Sequence, residues 1–318
     1  MTTIWLRLDF PEWAADRVRS SFPDVTFHTD AELSDEALAE VNGMFMSGTI
    51  ADDVVERMPQ VRWLHSTYGG AGTMMTPAVT ARKLTLTTSK GTHSVPFSEF
   101  TIAAIFAMAK HIPRAVRAQS EHRWDAEIPE TMEVFGKTLG IVGFGAIGSE
   151  LARIAHPLGM RVIATRQTLG EKPEYVDWIK TPDALPELLA ESDFVVLAVP
   201  GAPDLAGIIN EQALRSMKPT AVLINLTARN AIPDEEIVAR ALREGWIGGA
   251  VFNVFNTKRG EIAEDSPLWD APNMLISPRI AALDPRKWER LTELFMENLR
   301  RFIAGDEMIN VAEYGKGY

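Results

Sequence analysis

A glycine-rich hexapeptide near the middle of the chain has the spacing of a phosphate-binding loop. It fits the pattern G-x-G-x-x-G and consists of Gly143, Phe144, Gly145, Ala146, Ile147 and Gly148. In such a loop the first glycine permits a tight turn, the second lets a pyrophosphate approach the backbone, and the third lets a helix pack closely on a strand. Because an apolar strand precedes these residues and a helical stretch follows, the sequence predicts a dinucleotide-binding site here.

The residues that follow the next strand indicate which dinucleotide binds. An NAD site usually carries a carboxylate about twenty residues after the glycine loop, where it accepts a hydrogen bond from the ribose 2′-hydroxyl. Thr165 and Arg166 stand at this distance, in the segment ATRQT, which contains no acidic residue. Such an arginine is often a solvated surface residue, but its guanidinium can also bind a ribose 2′-phosphate. We therefore predict NADP(H) as the preferred cofactor, with NAD(H) as the alternative.

Other kinds of catalytic centre find no support in the sequence. Neither H-E-x-x-H nor G-x-S-x-G occurs, and the chain contains no cysteine. Metal and serine hydrolases, disulfides and cysteine nucleophiles are therefore not predicted, and we expect no metal site.

The composition predicts a soluble protein of two domains. The chain has 318 residues, of which 46% are hydrophobic and 24% charged, and its net charge of −11 argues against a nucleic-acid partner. The opening segment MTTIWLRLDF lacks the features of a signal peptide, and the most apolar helical run, residues 102–109, is too short to cross a bilayer. We expect a cytoplasmic protein without a membrane partner.

Short apolar runs alternate with amphipathic stretches, which is typical of parallel α/β structure. In the second part of the chain the predicted strands are 139–142, 161–164, 194–199, 221–225, 247–251 and 274–276. Helices are predicted between them at 147–157, 185–190 and 234–243. These six strands with their helical crossovers predict one complete doubly wound sheet.

The first hundred residues predict a second, smaller α/β unit. Its strands are expected at 3–8, 26–28, 43–46, 62–65 and 84–87, and its helices at 11–20, 34–40 and 51–58. A long helix at 98–118, interrupted by Pro113, separates the two units, and a helix at 285–303 is expected to cross back to the first.

Several motifs occur in an order that resembles the D-isomer-specific 2-hydroxyacid dehydrogenase family, and its glyoxylate/hydroxypyruvate reductase branch most closely. They are GFGAIG, SDFVVLAVPGAPDLAGII, LINLTARNAIPDEEIV, GWIGGAVFNVF and SPLWDAPNMLISPRIAA. The resemblance implies two Rossmann-like doubly wound α/β domains. The dinucleotide-binding domain, 99–284, would be inserted into a flavodoxin-like substrate-binding domain, 1–98 and 285–318, and the helix region 98–118 would form a homodimer.

The resemblance also implies an activity, the NADP(H)-dependent reduction of a small anionic 2-oxo acid by hydride transfer. The family's catalytic arginine falls on Arg229, which would bind the substrate carboxylate and polarise its carbonyl group. Backbone N–H groups of Tyr68, Gly69 and Gly70 would hold the same carboxylate. Further cofactor contacts are implied at Val199, Pro200, Leu226, Thr227, Ala228 and Asn253.

The chain departs from the family pattern at its proton donor. Arg279 stands where the family has a catalytic histidine, and Lys258 stands where it has the carboxylate that orients this histidine. Arginine stays protonated at physiological pH and cannot exchange a proton as imidazole does. Asn253 replaces the aspartate of the D-V-F motif, and its amide oxygen is expected to meet the nicotinamide carboxamide.

Several groups remain candidates for the missing proton donor. If Lys258 points inward, Arg229 and Arg279 nearby would lower its pKa and let it act as an acid, although a solvated position in the loop is the commoner role for such a lysine. Glu261 is a candidate replacement for the missing carboxylate, as a salt-bridge partner of Arg279. Water, His65 and His93 are further proton sources.

The altered residues leave three functions open. The protein reduces a 2-oxo acid with a non-standard proton donor, or it binds a dinucleotide but has lost this chemistry and serves as a sensor. In the third, its cationic site accepts a different anionic substrate, such as a dicarboxylate or a phosphorylated acid.

Overall fold

The computed structural model describes residues 2–7, 10–200, 203–257 and 261–314. The chain divides into two compact units, which we call the terminal unit and the central unit. The terminal unit contains Met1–Thr92 together with Asp284–Tyr318, and the central unit contains His93–Leu283.

The terminal unit is built on a parallel five-stranded sheet of order β2-β1-β3-β4-β5, counted over the described residues. This order is that of flavodoxin-like doubly wound folds, as predicted. Its strands are β1 (Thr2–Arg7), β2 (Val25–Thr29), β3 (Gly43–Met46), β4 (Trp63–Ser66) and β5 (Thr85–Thr88). Its helices are α1 (Glu12–Ser21), α2 (Asp35–Glu40), α3 (Asp52–Glu56), α4 (Pro77–Arg82) and a C-terminal helix (Lys287–Ala304). The short helix α4 was not predicted.

The C-terminal helix packs on the sheet of the terminal unit through aromatic side chains. The ring of Phe295 stacks on that of Phe45, with centroids 4.4 Å apart, and on that of Trp63 at 5.5 Å. Such contacts add to the free energy that the buried apolar area itself contributes. The last helix of the chain is therefore part of the fold formed by the first ninety residues.

The central unit contains a parallel seven-stranded sheet among the described residues, in the order β12-β11-β10-β9-β6-β7-β8. Its strands are β6 (Thr138–Val142), β7 (Arg161–Thr165), β8 (Trp178–Lys180), β9 (Phe194–Leu197), β10 (Val222–Asn225), β11 (Gly249–Phe252) and β12 (Met274–Ile276). Its helices are α5 (Ser94–Ala109), α6 (Ile112–Ser120), α7 (Ala146–Ala155), α8 (Leu185–Glu191), α9 (Glu211–Ser216) and α10 (Glu235–Arg243). The order reverses between β6 and β9, as in dinucleotide-binding Rossmann sheets.

Helices cover both faces of this sheet, so its strands are apolar on both sides. Strand β9 shows the arrangement: Phe194 and Val196 pack into one hydrophobic cluster, while Val195 and Leu197 pack into the other. All four side chains are fully buried. The continuous apolar run in the sequence therefore predicted a central strand correctly.

The structure corrects two details of the predicted central unit. The sheet has one strand more than the six predicted, because the short edge strand β8 is only half-buried and gives a weak apolar signal. The helix region 98–118, predicted with an interruption at Pro113, is two helices, and they separate two residues earlier at His111, which adopts a left-handed backbone with φ 51°. Pro113 lies in the first turn of α6, where its missing N–H costs no hydrogen bond.

None of the helices that the structure describes combines the length and the hydropathy of a membrane-spanning segment.

Candidate functional site

The glycine loop lies at the point where the strand order of the central unit reverses. It follows β6, and its backbone passes very close to the residues that follow β9. Gly143 has φ +102°, and a Cβ atom there would lie 2.6 Å from Val199 Cγ1 and 2.8 Å from the carbonyl oxygen of Ala198. The N–H groups of Gly143 and Phe144 both donate to the carbonyl oxygen of Thr165, at 3.0 and 2.9 Å. The loop is thus fixed between the ends of β7 and β9.

The other two glycines of the loop have different surroundings. A Cβ atom on Gly148 would lie 2.4 Å from the carbonyl oxygen of Gly143, so this glycine is required for α7 to pack on the loop. A Cβ atom on Gly145 would meet nothing within 4 Å. Gly145 is also the N-cap of α7, and no side chain caps this helix. The open space and the uncapped N–H groups fit a pyrophosphate.

Arg166 follows the buried Thr165 at the end of β7. Its guanidinium lies beside the following loop, with Nη2 3.5 Å from the carbonyl oxygen of Glu171, and its buried Nε has no hydrogen-bond partner. Within the described part of the chain it forms no ion pair. A Cβ atom on Gly170 would lie 2.5 Å from Nη2, so this glycine gives the guanidinium its space. Arg166 therefore carries an unneutralised charge at the position that distinguishes the two dinucleotides.

Hydrogen bonds connect the loops that follow neighbouring strands. The Oγ1 of Thr227 donates to the carbonyl oxygen of Val199 at 2.8 Å, which ties the loop after β10 to the loop after β9. The amide of Asn225 accepts from the N–H of Ala228 at 3.2 Å and donates to the carbonyl oxygen of Val254 at 3.3 Å. The predicted cofactor contacts Val199, Leu226, Thr227 and Ala228 therefore lie in one connected edge of the sheet. Pro200 is exposed beside them.

Arg229 lies in the loop after β10 and is half-buried. Its guanidinium forms neither a hydrogen bond nor an ion pair with any residue in the described ranges. Arg161, by contrast, binds both Asp177 and Glu191. A half-buried guanidinium without a carboxylate partner retains its full capacity to bind an anion through paired N–H donors.

Asn253, at the end of β11, is buried and uses both ends of its amide. Its Nδ2 donates to the carbonyl oxygen of Leu226 at 3.2 Å, and its Oδ1 accepts from Ser277 Oγ at 3.0 Å and from the N–H of Ala281 at 3.2 Å. The oxygen therefore has no lone pair left for a nicotinamide carboxamide in this arrangement. Asn253 instead connects the ends of β10, β11 and β12, and an aspartate could not donate to the Leu226 carbonyl.

Arg279 lies between the two residues that Asn253 binds. It is exposed and has a left-handed backbone, with φ 61° and ψ 30°. This conformation costs a non-glycine residue roughly 1–2 kcal/mol, so the surrounding contacts must hold it. The bonds of Asn253 to Ser277 and Ala281 flank the strained residue and supply such contacts.

The predicted replacement carboxylate does not pair with Arg279. Glu261 is exposed, its carboxylate forms no ion pair with a described residue, and its carbonyl oxygen accepts from Thr257 Oγ1 at 2.8 Å. The salt bridge between Glu261 and Arg279 is therefore absent. Lys258 lies outside the described residues.

The two candidate histidines differ in their surroundings. His65, on β4 in the terminal unit, is fully buried, and this burial lowers its pKa to about 3. Its imidazole is neutral near pH 7, and its burial argues against it as the replacement for the general acid. His93 is half-buried at the N-cap of α5, and its carbonyl oxygen accepts from the N–H of Phe97 at 3.2 Å.

The structure changes the expected use of the Tyr68 loop, which also belongs to the terminal unit. The N–H of Tyr68 donates to Ser66 Oγ at 3.0 Å, and the carbonyl oxygen of Tyr68 accepts from the N–H of Ser89 at 2.9 Å. The Tyr68 N–H is thus already occupied, while those of Gly69 and Gly70 have no partner in the described ranges. Sequence reasoning missed Ser66, although a serine two residues before Tyr68 has the spacing of a serine turn.

The glycine loop yields a matched pair of substitutions. In Gly145→Ala the new Cβ enters open space, so we expect an unchanged melting temperature but at least about tenfold weaker NADPH binding, because the methyl group occupies the place of the pyrophosphate. In Gly148→Ala the new Cβ meets backbone, so we expect the melting temperature itself to fall. Calorimetry and nucleotide titration measure both. Equal nucleotide affinity of Gly145→Ala and the wild type would contradict the assignment of the loop.

Comparisons with known proteins agree with this geometry. Residues 102–281 match the family model described as D-isomer specific 2-hydroxyacid dehydrogenase, NAD binding domain. The chain is 33% identical over 268 residues to a glyoxylate reductase of Korarchaeum cryptofilum, covering 82% of this chain and 79% of that protein. It is 31% identical over 320 residues to a glyoxylate reductase of Thermococcus gammatolerans, covering 95% and 93%.

Solved structures show the same fold over the whole length. A D-isomer specific 2-hydroxyacid dehydrogenase from Xanthobacter autotrophicus Py2, in complex with NADPH and MES, superposes with a TM-score of 0.83 at 24% identity and full coverage of both chains. The family model alone covers more than half of this chain. The chain therefore belongs to the D-isomer specific 2-hydroxyacid dehydrogenase family and is an NAD(P)-dependent oxidoreductase of this type.

Proposed function

We propose that the protein is an NADP(H)-dependent reductase of a small 2-oxo acid of the glyoxylate or hydroxypyruvate kind. The observation that carries the proposal is Arg229, a half-buried guanidinium that pairs with no carboxylate among the described residues, at the sheet edge that holds the glycine loop. The glyoxylate reductases that the chain resembles over most of its length support the same substrate class.

The chain's own residues have separate tasks in this reaction. The nicotinamide, when bound, supplies the hydride that the carbonyl carbon of the oxo acid accepts. Arg229 donates paired hydrogen bonds to the substrate carboxylate and carbonyl oxygen, so it stabilises the negative charge that develops on that oxygen. The N–H groups of Gly69 and Gly70 bind the carboxylate.

The proton that the substrate oxygen gains comes from a non-standard donor. Arg279 remains protonated and acts as a second electrostatic stabiliser. Water, Lys258 and His93 are the candidate proton donors, and the burial of the neutral His65 disfavours it. Loss of a general acid commonly lowers the rate about 10²- to 10⁴-fold, so turnover is expected to be slow.

The first test is the oxidation of NADPH and of NADH in the presence of a panel of 2-oxo acids. The panel contains glyoxylate, hydroxypyruvate, phenylpyruvate and several dianionic acids, and absorbance follows the reaction. We expect turnover with at least one monoanionic oxo acid, because Arg229 has one free guanidinium fork for its carboxylate. Nucleotide binding without turnover on any member would favour the loss of dehydrogenase chemistry.

The cofactor preference is tested at Arg166. In Arg166→Ala the affinity for NADPH is expected to fall about tenfold to a hundredfold, the worth of a charge-assisted hydrogen bond, while NADH affinity is retained. Arg153→Ala is the matched control, since Arg153 on α7 is paired with Glu150. Equal wild-type affinities for NADPH and NADH would overturn the preference.

The altered proton donor is tested by Arg279→His. An imidazole there can transfer a proton, so we expect kcat on glyoxylate to rise by about 10²-fold or more. Nucleotide affinity serves as the control. An unchanged kcat would favour the alternative, a site rebuilt for a different anionic substrate.

We also propose that the protein is a homodimer through the helix region 98–118. Large apolar side chains are exposed in and just after this region: Ile112 (49%), Val116 (56%) and Trp124 (93%). We expect light scattering to give twice the chain mass of 35.2 kDa, and Val116→Asp to give the monomer while Val116→Ile does not. A monomeric wild type would contradict this. The cytoplasmic location stays a prediction from the sequence.

A further inference from the structure

A row of buried polar side chains lies in the core of the terminal unit, next to the Tyr68 loop. Trp63, His65 and Thr87 are fully buried, and Ser89 is 1% exposed. The Nε1 of Trp63 lies 2.7 Å from Thr87 Oγ1, which lies 2.7 Å from His65 Nδ1. The Nε2 of His65 lies 3.3 Å from Ser89 Oγ, which lies 2.8 Å from the carbonyl oxygen of Ser66. These contacts form one continuous hydrogen-bond chain.

The chemistry of its two ends gives this chain a single direction. A carbonyl oxygen can only accept, so Ser89 gives its one hydroxyl hydrogen to Ser66 and must accept from His65 Nε2. The imidazole therefore carries a proton on Nε2, and in its neutral form Nδ1 is an acceptor. Thr87 then accepts from the indole N–H of Trp63 and donates its own hydrogen to His65 Nδ1. In this arrangement each hydroxyl hydrogen has one partner.

The surroundings keep the imidazole in this state. The rings of Phe45, Trp63 and Phe295 lie around His65, with centroids 5.1, 6.0 and 5.7 Å away. Desolvation by this apolar shell lowers the pKa of His65 to about 3. A second proton, on Nδ1, would also face the hydroxyl hydrogen of Thr87.

The chain ends on the loop that carries the candidate carboxylate-binding groups. Ser89 binds this loop twice, through Oγ to the Ser66 carbonyl oxygen and through its N–H to the Tyr68 carbonyl oxygen at 2.9 Å. The Oγ of Ser66 in turn accepts from the Tyr68 N–H. The Tyr68 N–H and the Ser66 and Tyr68 carbonyl oxygens are thus engaged, while the N–H groups of Gly69 and Gly70 have no partner within the described ranges and are left for a ligand.

We propose that His65 is a positioning residue, which through Ser89 fixes the loop 66–70 in the geometry that binds the carboxylate of the oxo acid. The role rests on the proposed reductase function. It requires His65 to donate and accept hydrogen bonds, and it requires no proton transfer to substrate.

The test compares substitutions that break or keep the chain. His65→Leu and Thr87→Val remove hydrogen-bonding groups, while His65→Gln and Thr87→Ser retain a donor and an acceptor. For the first pair we expect KM for glyoxylate to rise about tenfold or more, with kcat and NADPH affinity nearly unchanged. The hydrogen bonds from the loop to the substrate carboxylate would be weakened equally in the ground state and in the transition state. The second pair is expected to restore most of the wild-type KM. Any inflection of KM between about pH 5 and pH 8 should be the same in the wild type and in His65→Gln, because His65 does not titrate there.

Three results would overturn the proposal. An unchanged KM in both His65→Leu and Thr87→Val removes the positioning role. A loss of kcat of more than about a hundredfold at constant KM in His65→Leu makes His65 a proton-transfer group. Equal effects of Thr87→Val and Thr87→Ser show that packing, rather than the hydroxyl, matters. The Thr87 pair decides the question if His65→Leu does not fold.

A binding measurement separates this proposal from the proposed function. Oxalate is a dicarboxylate that accepts no hydride, and its affinity is measured by calorimetry in the presence of NADPH. If the wild type turns over no oxo acid but oxalate binds, and binds about tenfold more weakly to Thr87→Val than to Thr87→Ser, the reductase proposal fails and the positioning role stands. Equal oxalate affinity of the two variants overturns the positioning role.

Discussion

The sheet edge of the central unit depends on one close approach, that of the Gly143 backbone to the residues that follow β9. No side chain fits between them, so the glycine loop and the Ala198–Val199 segment hold each other in place. Val199 is hydrogen-bonded to Thr227 in the loop after β10, and the Asn225 amide is hydrogen-bonded to Val254 just after β11. Asn253 accepts hydrogen bonds from Ser277 and Ala281, which connect β11 to the segment around Arg279. Hydrogen bonds between neighbouring loops thus extend the close contact between the ends of β6 and β9 to the ends of β10, β11 and β12.

The same edge concentrates positive charge in an acidic protein. The chain has a net charge of −11, and many of its surface arginines are neutralised by a nearby carboxylate, as Arg161 and Arg240 are. Arg166 and Arg229 lack such partners in the described ranges. An unpaired guanidinium near a low-dielectric wall produces a local field that a distant net charge does not cancel, because salt screens the distant charges. A small anion is therefore attracted to this edge although the protein as a whole repels it.

The fold could be predicted from the sequence wherever a residue type or an apolar pattern is typical of one backbone conformation. The glycine loop, the buried apolar run of β9 and the alternation of strands and helices are such cases. Strand β8 and the position of the helix break at His111 are not, because a half-buried edge strand gives a weak apolar pattern and Pro113 indicates an interruption without fixing its residue. The candidate site was predicted by residue type but not by hydrogen-bond partner. The bond from the Tyr68 N–H to Ser66 has a local signal in the two-residue spacing, whereas the burial of His65 among aromatic rings has none, since Phe45 and Phe295 are distant along the chain.

The left-handed backbone at Arg279 also bears on which side chains this position accepts. Histidine is among the non-glycine residues that are enriched in the left-handed region, so the conformation suits a histidine at least as well as the arginine present here. The segment therefore accepts either side chain on the same backbone. The choice between a side chain that exchanges protons and one that keeps a fixed positive charge is thus independent of the local fold.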